Sequence, residues 1–278
     1  MTSRATRRFL FWLLPAAIGL AAAAIFAVGA GAALNGTLGT PVGDAPVIAP
    51  TPAPPSAAGT LRVVALGDSL THGTGDSPAG GYPRRVVEAL RKGERPADLV
   101  NFGIDGLESD GLLRKLAAAE VREAIAAAGL ILLSIGGNDL THSLPSTPAG
   151  TALGDPTAPA LARLRENLGR ILEQIRAANP AAPIRIVGLY NPFTEQAADR
   201  RTTREALLRW NSALEETSFT VPGALVVPTF DLFEERADRL SPDRFHPGPS
   251  GYAEIATRVL SSLPAPLLTA ANSSRPAK

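Results

Sequence analysis

Five short apolar runs, each followed by a turn and then by a helical pattern, limit most strongly what this chain can fold into. The runs occupy residues 62–66, 98–102, 130–135, 184–189 and 225–227. Near-continuous apolar strands that alternate with amphipathic helices are typical of a parallel sheet whose two faces are both buried. The pattern therefore predicts an α/β domain of three layers, with helices on both sides of the sheet.

Helical periodicity is clearest in one stretch, where an apolar stripe at steps of three and four is formed by Leu161, Leu164, Leu168, Ile171, Leu172 and Ile175. Further helices are predicted at residues 82–91, 111–127, 203–216 and 250–262. The chain has 278 residues, of which 45% are hydrophobic, and this is ample for one core of that kind.

Charge and cysteine content exclude several function classes. The formal net charge is +1, and without Arg4, Arg7, Arg8 and Asp44 the 27 basic and 26 acidic residues become 24 and 25. Such a balance gives no support for nucleic-acid binding. The chain has no cysteine, which excludes disulfides, thiolate metal sites and a cysteine nucleophile.

An uncharged apolar segment follows the three N-terminal arginines. It covers residues 9–34, a length of 26 residues. About 20 apolar residues span a bilayer as a helix, whereas the apolar core of a signal peptide has about 7 to 15. Residues 1–34 are therefore predicted to form a single-pass membrane anchor, with the arginines in the cytoplasm and the following domain outside it. Small residues near position 31 leave a cleaved signal peptide, and hence a secreted domain, as the alternative.

The next segment has the composition of a spacer. Residues 35–59 contain six prolines, many Ala, Gly and Thr residues, and a single charge. Such a segment cannot build a core and is typical of an extended, semi-stiff linker. The predicted organisation is therefore a linker at 35–59, a folded domain at 60–264 and a disordered tail at 265–278.

Small polar residues follow the first predicted strand directly, in the sequence Gly67-Asp68-Ser69. In a parallel sheet, ligands bind beyond the carboxyl ends of the strands, where the strand order reverses. A serine placed there acts as a nucleophile if a base removes its proton. The chain offers three histidines as that base, His72, His142 and His246.

His246 has a carboxylate at a useful distance in the sequence Asp243-Arg244-Phe245-His246-Pro247. Residues three apart on one tight turn share a face, so Asp243 can accept the Nδ1 proton of His246 and leave Nε2 free as the base. Taken alone, the same pair is more simply a loop that caps the following helix. For His72 and His142, contact with solvent or substrate is the simpler interpretation.

Two further clusters lie at predicted strand ends. Gly136-Gly137-Asn138-Asp139 follows the third strand, and the Asn138 amide can donate to a developing oxyanion. Residues 101–106, Asn-Phe-Gly-Ile-Asp-Gly, end the second strand and can present a backbone N–H to the same point. Each cluster by itself is typical of an ordinary turn.

Taken in order, these four blocks resemble the GDSL esterases and lipases of the SGNH hydrolase superfamily. The blocks are GDSL at residues 67–70, the asparagine and glycine block at 101–106, GGND at 136–139 and DxxHP at 243–247, and the resemblance covers residues 60–263. Three longer strings that overlap these blocks are similar to a bacterial lipase/acylhydrolase-like branch of the family: GDSLTHGTGD, NFGIDGLESD and FHPGPSGY. The resemblance implies a flavodoxin-like, five-stranded parallel sheet in an α/β/α sandwich, which agrees with the five predicted strands.

The resemblance also implies a catalytic triad. Ser69 takes the place of the nucleophile, His246 that of the general base and acid, and Asp243 that of the residue that orients the histidine. The implied reaction proceeds through an acyl-serine intermediate and requires no metal or cofactor.

The oxyanion hole implied by the resemblance consists of the backbone N–H of Ser69, the backbone N–H of Gly106 and the side chain of Asn138. Gly106 is preferred over Gly103 because it lies five residues after Asn101, as the glycine of the family block does. Gly103 remains the alternative.

The implied substrates are carboxylic esters: small-molecule or lipid esters, lysophospholipids or acetylated glycans. Two other functions stay open at this point. An acyltransferase uses the same intermediate with an acceptor other than water, and a catalytically silent module binds glycan or lipid without turnover.

Overall fold

A computed structural model of the chain describes residues 59–76, 78, 80–144, 155–193 and 200–269, without the side chains of residues 200–202. The predicted anchor at 1–34 lies outside these residues, as does the linker except for Gly59. Both therefore stay predictions, and fractionation of expressing cells into membrane and medium would distinguish an anchor from a cleaved signal. Within the described ranges, no helix combines the length and apolarity that a membrane span requires.

Five parallel strands form one sheet, as predicted. They are β1 (Leu61–Gly67), β2 (Ala97–Gly103), β3 (Leu130–Ser134), β4 (Ile184–Val187) and β5 (Ala224–Val227). Their order across the sheet is β2-β1-β3-β4-β5, with every neighbouring pair parallel. The order reverses between β1 and β3, so the crevice for a ligand is expected at the carboxyl ends of these two strands.

Ten α-helices and one 3₁₀ turn at Ala237–Arg239 connect and cover the strands in the described part of the chain. The helices are α1 (Ser69–His72), α2 (Gly81–Lys92), α3 (Ser109–Leu116), α4 (Ala119–Ala126), α5 (Gly137–Ser143), α6 (Ala158–Ala178), α7 (Arg200–Phe219), α8 (Phe230–Phe233), α9 (Pro249–Ser261) and α10 (Ala265–Leu268).

The sheet is buried on both faces, which confirms the predicted α/β/α sandwich. Successive side chains of a strand point to opposite faces. Val64, Leu66, Ile131 and Leu133 pack on one face with α3, α4, α6 and α7. Their neighbours along the same strands pack on the other face with α2 and α9, and these are Val63, Ala65, Leu130 and Leu132. Because both faces of the sheet are buried, the strands are uninterrupted apolar runs in the sequence. Each Val, Leu or Ile side chain among them contributes about 1.5 to 3 kcal/mol when it is fully buried.

The structure differs from the sequence prediction between residues 111 and 127, where two helices replace the single predicted one. Leu112 and Leu116 are buried on α3, and Val121 and Ile125 are buried on α4. Val121 follows Leu116 by five residues, so in one continuous helix their side chains would differ in direction by roughly 140°. One of the two pairs would then point away from the core. The chain instead breaks at Ala118, whose backbone is extended, and both pairs face the sheet.

The C-terminal end of the domain also differs from the prediction. The disordered tail was expected from residue 265, but residues Ala265–Leu268 form α10. Prolines at 264 and 266 suit the start of a helix, and Leu267 packs against the core formed with α2 and α9. Residues 270–278 lie outside the described part of the chain.

Gly67 joins the sheet to the polar residues that follow β1. Its φ is +138°, and a Cβ at this position would lie 2.0 Å from the carbonyl oxygen of Ser134 on β3. Backbone atoms of a central strand cannot move aside, so only glycine allows β1 and β3 to approach this closely at their ends.

We predict opposite effects for the same substitution at two glycines. Gly67→Ala should lower the free energy of unfolding by about 1 to 3 kcal/mol or more, because it overpacks the end of β1. Gly169→Ala should raise it by about 0.5 to 1 kcal/mol, since Gly169 lies within α6 and its added Cβ would approach no atom closer than 3.9 Å. Urea unfolding of both variants tests this, and an unchanged stability of Gly67→Ala would contradict it.

Candidate active site

Ser69 lies at the carboxyl end of β1, where the strand order reverses between β1 and β3. It is the first residue of the one-turn helix α1, directly after Asp68 at the end of β1. Its Oγ lies 2.9 Å from Nε2 of His246, which comes from the loop before α9. The structure thus brings together two predicted site residues that are 177 positions apart in the chain.

Asp243 completes a continuous hydrogen-bonded chain. Its Oδ2 lies 2.6 Å from Nδ1 of His246, on the side of the ring opposite to Ser69. With the Nδ1 proton donated to this carboxylate, Nε2 is left as the acceptor for the Ser69 hydroxyl. The order Asp243, His246, Ser69 is the arrangement required for a serine nucleophile.

The turn around Asp243 is built to keep the carboxylate ionised. Oδ1 accepts hydrogen bonds from the Ser241 hydroxyl at 2.6 Å and from the backbone N–H groups of Phe245 and His246, both at 2.9 Å. Burial raises the pKa of Asp243, but hydrogen bonds from Ser241, His246 and the backbone outweigh it and hold the pKa well below its ordinary value of 3.8. Sequence reasoning missed Ser241, although a serine two residues before the aspartate in Ser-Pro-Asp is a local signal for such a turn.

Gly75 allows the loop that carries His246 to reach Ser69. Its φ is +93°, and a Cβ there would lie 2.5 Å from the carbonyl oxygen of Pro247 and 3.0 Å from Cβ of His246. Tyr252, on α9, adds a second connection by donating its hydroxyl to the carbonyl of Thr74 at 2.7 Å. The nucleophile and base loops are therefore packed directly on each other.

The two candidate glycines of the second block have different surroundings. The N–H of Gly103 donates to Oδ1 of Asn101 at 2.9 Å, and a Cβ on Gly103 would lie 2.3 Å from the backbone nitrogen of His72. Gly106 is exposed, with φ at +72°, and its N–H has no acceptor within the described residues. Gly103 therefore serves close packing, and Gly106 has the free donor.

Asn138 contacts Leu107, the residue that follows Gly106. It is the second residue of α5, and its Nδ2 donates one hydrogen to the carbonyl of Leu107 at 3.0 Å. The second hydrogen of this amide stays available. Ser69, Gly106 and Asn138 thus each have a donor that is not consumed by the described protein groups, as an oxyanion hole requires.

The other two histidines do not contact Ser69 or Asp243. The exposed His72 pairs with Asp105, with 3.3 Å between Nδ1 and Oδ1, and the exposed His142 pairs with Glu108. Within the described residues, no cluster of three His, Asp or Glu side chains is arranged to hold a metal ion.

Asp68 is buried next to Ser69 and was not predicted as a site residue. Its Oδ1 accepts from the Ser134 hydroxyl at 2.6 Å and from the backbone N–H of Leu70 at 3.1 Å. Burial raises the pKa of Asp68, although the Ser134 and backbone hydrogen bonds act in the opposite direction. This carboxylate fixes the start of α1 to the end of β3, and so fixes the position of Ser69.

An apolar cleft opens beside Ser69 and His246. It encloses about 710 Å³, counting its mouth to solvent. The walls come from α5, the segment after β4, α7 and the loop of His246, with apolar lining from Leu140, Leu144, Leu189, Phe193, Ala206, Leu207 and Phe245. Among its described lining residues, Asp68 is the one acidic side chain and His246 the one basic side chain.

We predict that the contribution of Ser241 to stability is the same at pH 6 and at pH 3, although the contribution of Asp243 itself depends on pH. Because the folded pKa of Asp243 is depressed, its stabilisation is complete above the unfolded pKa, about 3.9, and is lost as the pH falls through the folded value. Ser241→Ala removes one donor, and the folded carboxylate stays ionised at both pH 6 and pH 3, so the free energy of unfolding of the variant should be lower than that of the wild type by about 1 kcal/mol at both pH values.

Urea unfolding at both pH values measures this difference. Ser261→Ala is the matched control, because the Ser261 hydroxyl donates to the carbonyl of Arg258 rather than to a carboxylate. A loss from Ser241→Ala that is much smaller at pH 3 than at pH 6 would contradict the prediction.

Comparison with known proteins agrees with this geometry. Residues 65–254 match the GDSL-like Lipase/Acylhydrolase family model. The chain is 32% identical over 208 residues to the uncharacterized protein YpmR of Bacillus subtilis, covering 73% of this chain and 81% of that protein. It is 29% identical over 214 residues to the spore germination lipase LipC of Bacillus licheniformis, covering 72% and 95% of the two chains.

A solved structure gives the same result. The lipase Lip_vut3 from a goat rumen metagenome superposes with a TM-score of 0.64 and 26% identity, over 72% of this chain and 96% of that one. Taken together with the parallel sheet and the four sequence blocks, these matches show that the chain belongs to the GDSL-like lipase/acylhydrolase family and is a hydrolase of the esterase and lipase type.

Proposed function

We propose that the chain hydrolyses carboxylic esters with apolar acyl groups, through an acyl-serine intermediate on Ser69. The observation that carries this proposal is the unbroken chain of hydrogen bonds from Asp243 through His246 to Ser69, at the mouth of an apolar cleft. The Bacillus licheniformis relative is named a lipase, which supports the choice of an apolar acyl group.

In the first half of the reaction, Ser69 Oγ attacks the ester carbonyl carbon while its proton passes to Nε2 of His246. The negative charge that develops on the carbonyl oxygen is held by the donors of Ser69, Gly106 and Asn138. The tetrahedral intermediate then expels the alcohol, which takes the proton from His246, and the acyl group remains on Ser69.

In the second half, water replaces the alcohol. His246 accepts a proton from the water molecule, the hydroxide attacks the acyl carbon, and Ser69 Oγ leaves with the proton returned by His246. Asp243 keeps the imidazole oriented and stabilises its cationic form in both halves. Its depressed pKa keeps it ionised across the neutral range, as this role requires.

The cleft favours an apolar acyl group over a polar one. Leucine, phenylalanine and alanine side chains form its walls, and burying apolar substrate surface against them contributes about 25 cal/mol per Å². A sugar hydroxyl in this cleft would lose its hydrogen bonds to water and find few partners. The glycan or alcohol part of a substrate is therefore placed on the open side, with the acyl chain inside.

The direct test is turnover of p-nitrophenyl octanoate with release of octanoate as the measured product. Ser69→Ala should abolish turnover, and Asn138→Ala should lower kcat about 10² to 10³-fold because one oxyanion donor is lost. Ser261→Ala should behave as the wild type. A folded wild-type chain with no Ser69-dependent turnover and no labelling by a fluorophosphonate would make the silent binding module the better interpretation. An octanoyl ester of an added alcohol as the main product would indicate an acyltransferase.

The acyl specificity has its own test on α7, where Ala206 lines the cleft. Ala206→Leu should lower kcat/KM for the octanoyl ester by about tenfold or more, and change that for the acetyl ester by less than about threefold, because only the longer chain needs the filled space. Leu208→Ala is the control, since Leu208 is 43% exposed and is not a wall of the cleft. Equal losses for the two esters would show that the acyl chain binds elsewhere.

A further inference from the structure

The turn that carries Gly106 is fastened at both ends. Ile104 donates its N–H to the carbonyl of Gly67 at 2.9 Å, and Leu107 donates its N–H to the carbonyl of Ile104 at 3.2 Å. Gly106 is the third residue of this β-turn, where a positive φ suits glycine. At the other end, Asn138 holds the carbonyl of Leu107. The position of the Gly106 N–H therefore depends on what holds the residues after it.

Asp139 holds that continuation. It follows Asn138 on α5, is 1% exposed, and accepts the Ser109 hydroxyl at 2.5 Å and the Ser109 N–H at 3.0 Å. Ser109 is fully buried and also accepts a hydrogen bond from the side chain of Asn167 at 2.9 Å. Asn138 and Asp139 thus bind Leu107 and Ser109, so that two neighbouring residues of α5 grip the segment directly after Gly106.

The Asp139 carboxylate also caps the N-terminus of α3, which has no side-chain cap of its own. Glu108, the N-cap of α3, makes no capping hydrogen bond with its side chain. The first N–H groups of a helix need an acceptor, and a negative charge there is favourable. Asp139 supplies both from another helix. Burial raises the pKa of Asp139, and the Ser109 hydrogen bonds act against that rise, so the contact with Ser109 is what supports the buried charge.

We propose that Asp139 is a positioning residue of the oxyanion hole, whose bonds to Ser109 hold the Gly106 N–H in register with the Asn138 amide. The proposal rests on the proposed function, because it assigns a role to Gly106 in the reaction. Asp139 itself does not touch the substrate in this role. Its removal should therefore affect the transition state, where the oxyanion exists, much more than the binding of the ground state.

The test compares Asp139→Ala, Asp139→Asn and Ser109→Ala with the control His142→Gln, in the full-length protein. Asp139→Ala should lower kcat about 10 to 100-fold with KM within about threefold, which is less than the loss of a donor itself. Asp139→Asn keeps an acceptor for the Ser109 N–H, and Ser109→Ala keeps the N–H bond, so both should lose less. His142→Gln removes an exposed pair on Glu108 of the same segment and should leave kcat unchanged.

Three further measurements separate positioning from a loss of folding. The rate at which a fluorophosphonate labels Ser69 should fall in parallel with kcat, because the phosphoryl oxygen of the adduct occupies the oxyanion hole. In the Ser69→Ala background, Asp139→Ala should leave the affinity for p-nitrophenyl octanoate unchanged. Hydrogen exchange of the hydrogen-bonded backbone amides of Leu107 and Ser109 should accelerate in Asp139→Ala and not in His142→Gln.

Each result decides the proposal. A folded Asp139→Ala variant with wild-type kcat and labelling rate would overturn it, as would unchanged exchange at Leu107 and Ser109. A fall in affinity equal to the fall in kcat/KM would show a role in substrate binding instead. A wild-type chain without Ser69-dependent turnover would overturn the proposed function and with it the catalytic part of the proposal, and the exchange data would still report whether Asp139 fixes the segment.

Discussion

The register between three neighbouring strands determines where everything else in the site lies. Gly67 at the end of β1 is paired with Gly103 on β2 and with Ser134 on β3, so the three strands end at one level. The segments that follow them carry the candidate nucleophile, the Gly106 turn and the Asn138 amide. A slip of one residue in either pairing would move one of these groups by about 3.3 Å and turn its strand over. The close approach at Gly67, which excludes any Cβ, prevents such a slip between β1 and β3.

Three aspartates repeat one local solution at these strand ends and at the histidine loop. Asp68 accepts the N–H of Leu70, Asp139 that of Ser109, and Asp243 those of Phe245 and His246. In each case a carboxylate fixes the backbone beside a candidate catalytic group. Their pKa values shift in opposite directions, raised by burial for Asp68 and Asp139 and lowered for Asp243, whose four donors outweigh its burial. The two buried acids therefore act as fixed acceptors, and Asp243 is the one suited to stabilise an imidazolium.

The sequence was sufficient for the sheet, because strands buried on both faces leave short continuous apolar runs, and here turns and amphipathic helices separate each run from the next. It was also sufficient for the residues that the structure joins into the chain Asp243, His246, Ser69, although their catalytic roles rest on the proposed reaction. The break between α3 and α4 was missed because the alanines at 117–119 favour a continuous helix, and only the need to bury both Leu116 and Val121 divides it. Ser109 and Ser241 were missed for a related reason. Serine is common in turns, and its partners become visible only when distant segments meet.

The cleft and His246 share part of their framework. Tyr190 lines the cleft and donates its hydroxyl to the carbonyl of Phe245 at 2.7 Å, while its ring packs 4.3 Å from that of Phe233. Phe245 lines the same cleft, and its ring meets the imidazole of His246 edge to face, with 5.0 Å between centroids. A substitution of Tyr190 or Phe245 therefore changes the position of His246 together with the shape of the cleft. Ala206 belongs to α7, on a wall that supplies no member of the triad, so it reports acyl binding separately from catalysis.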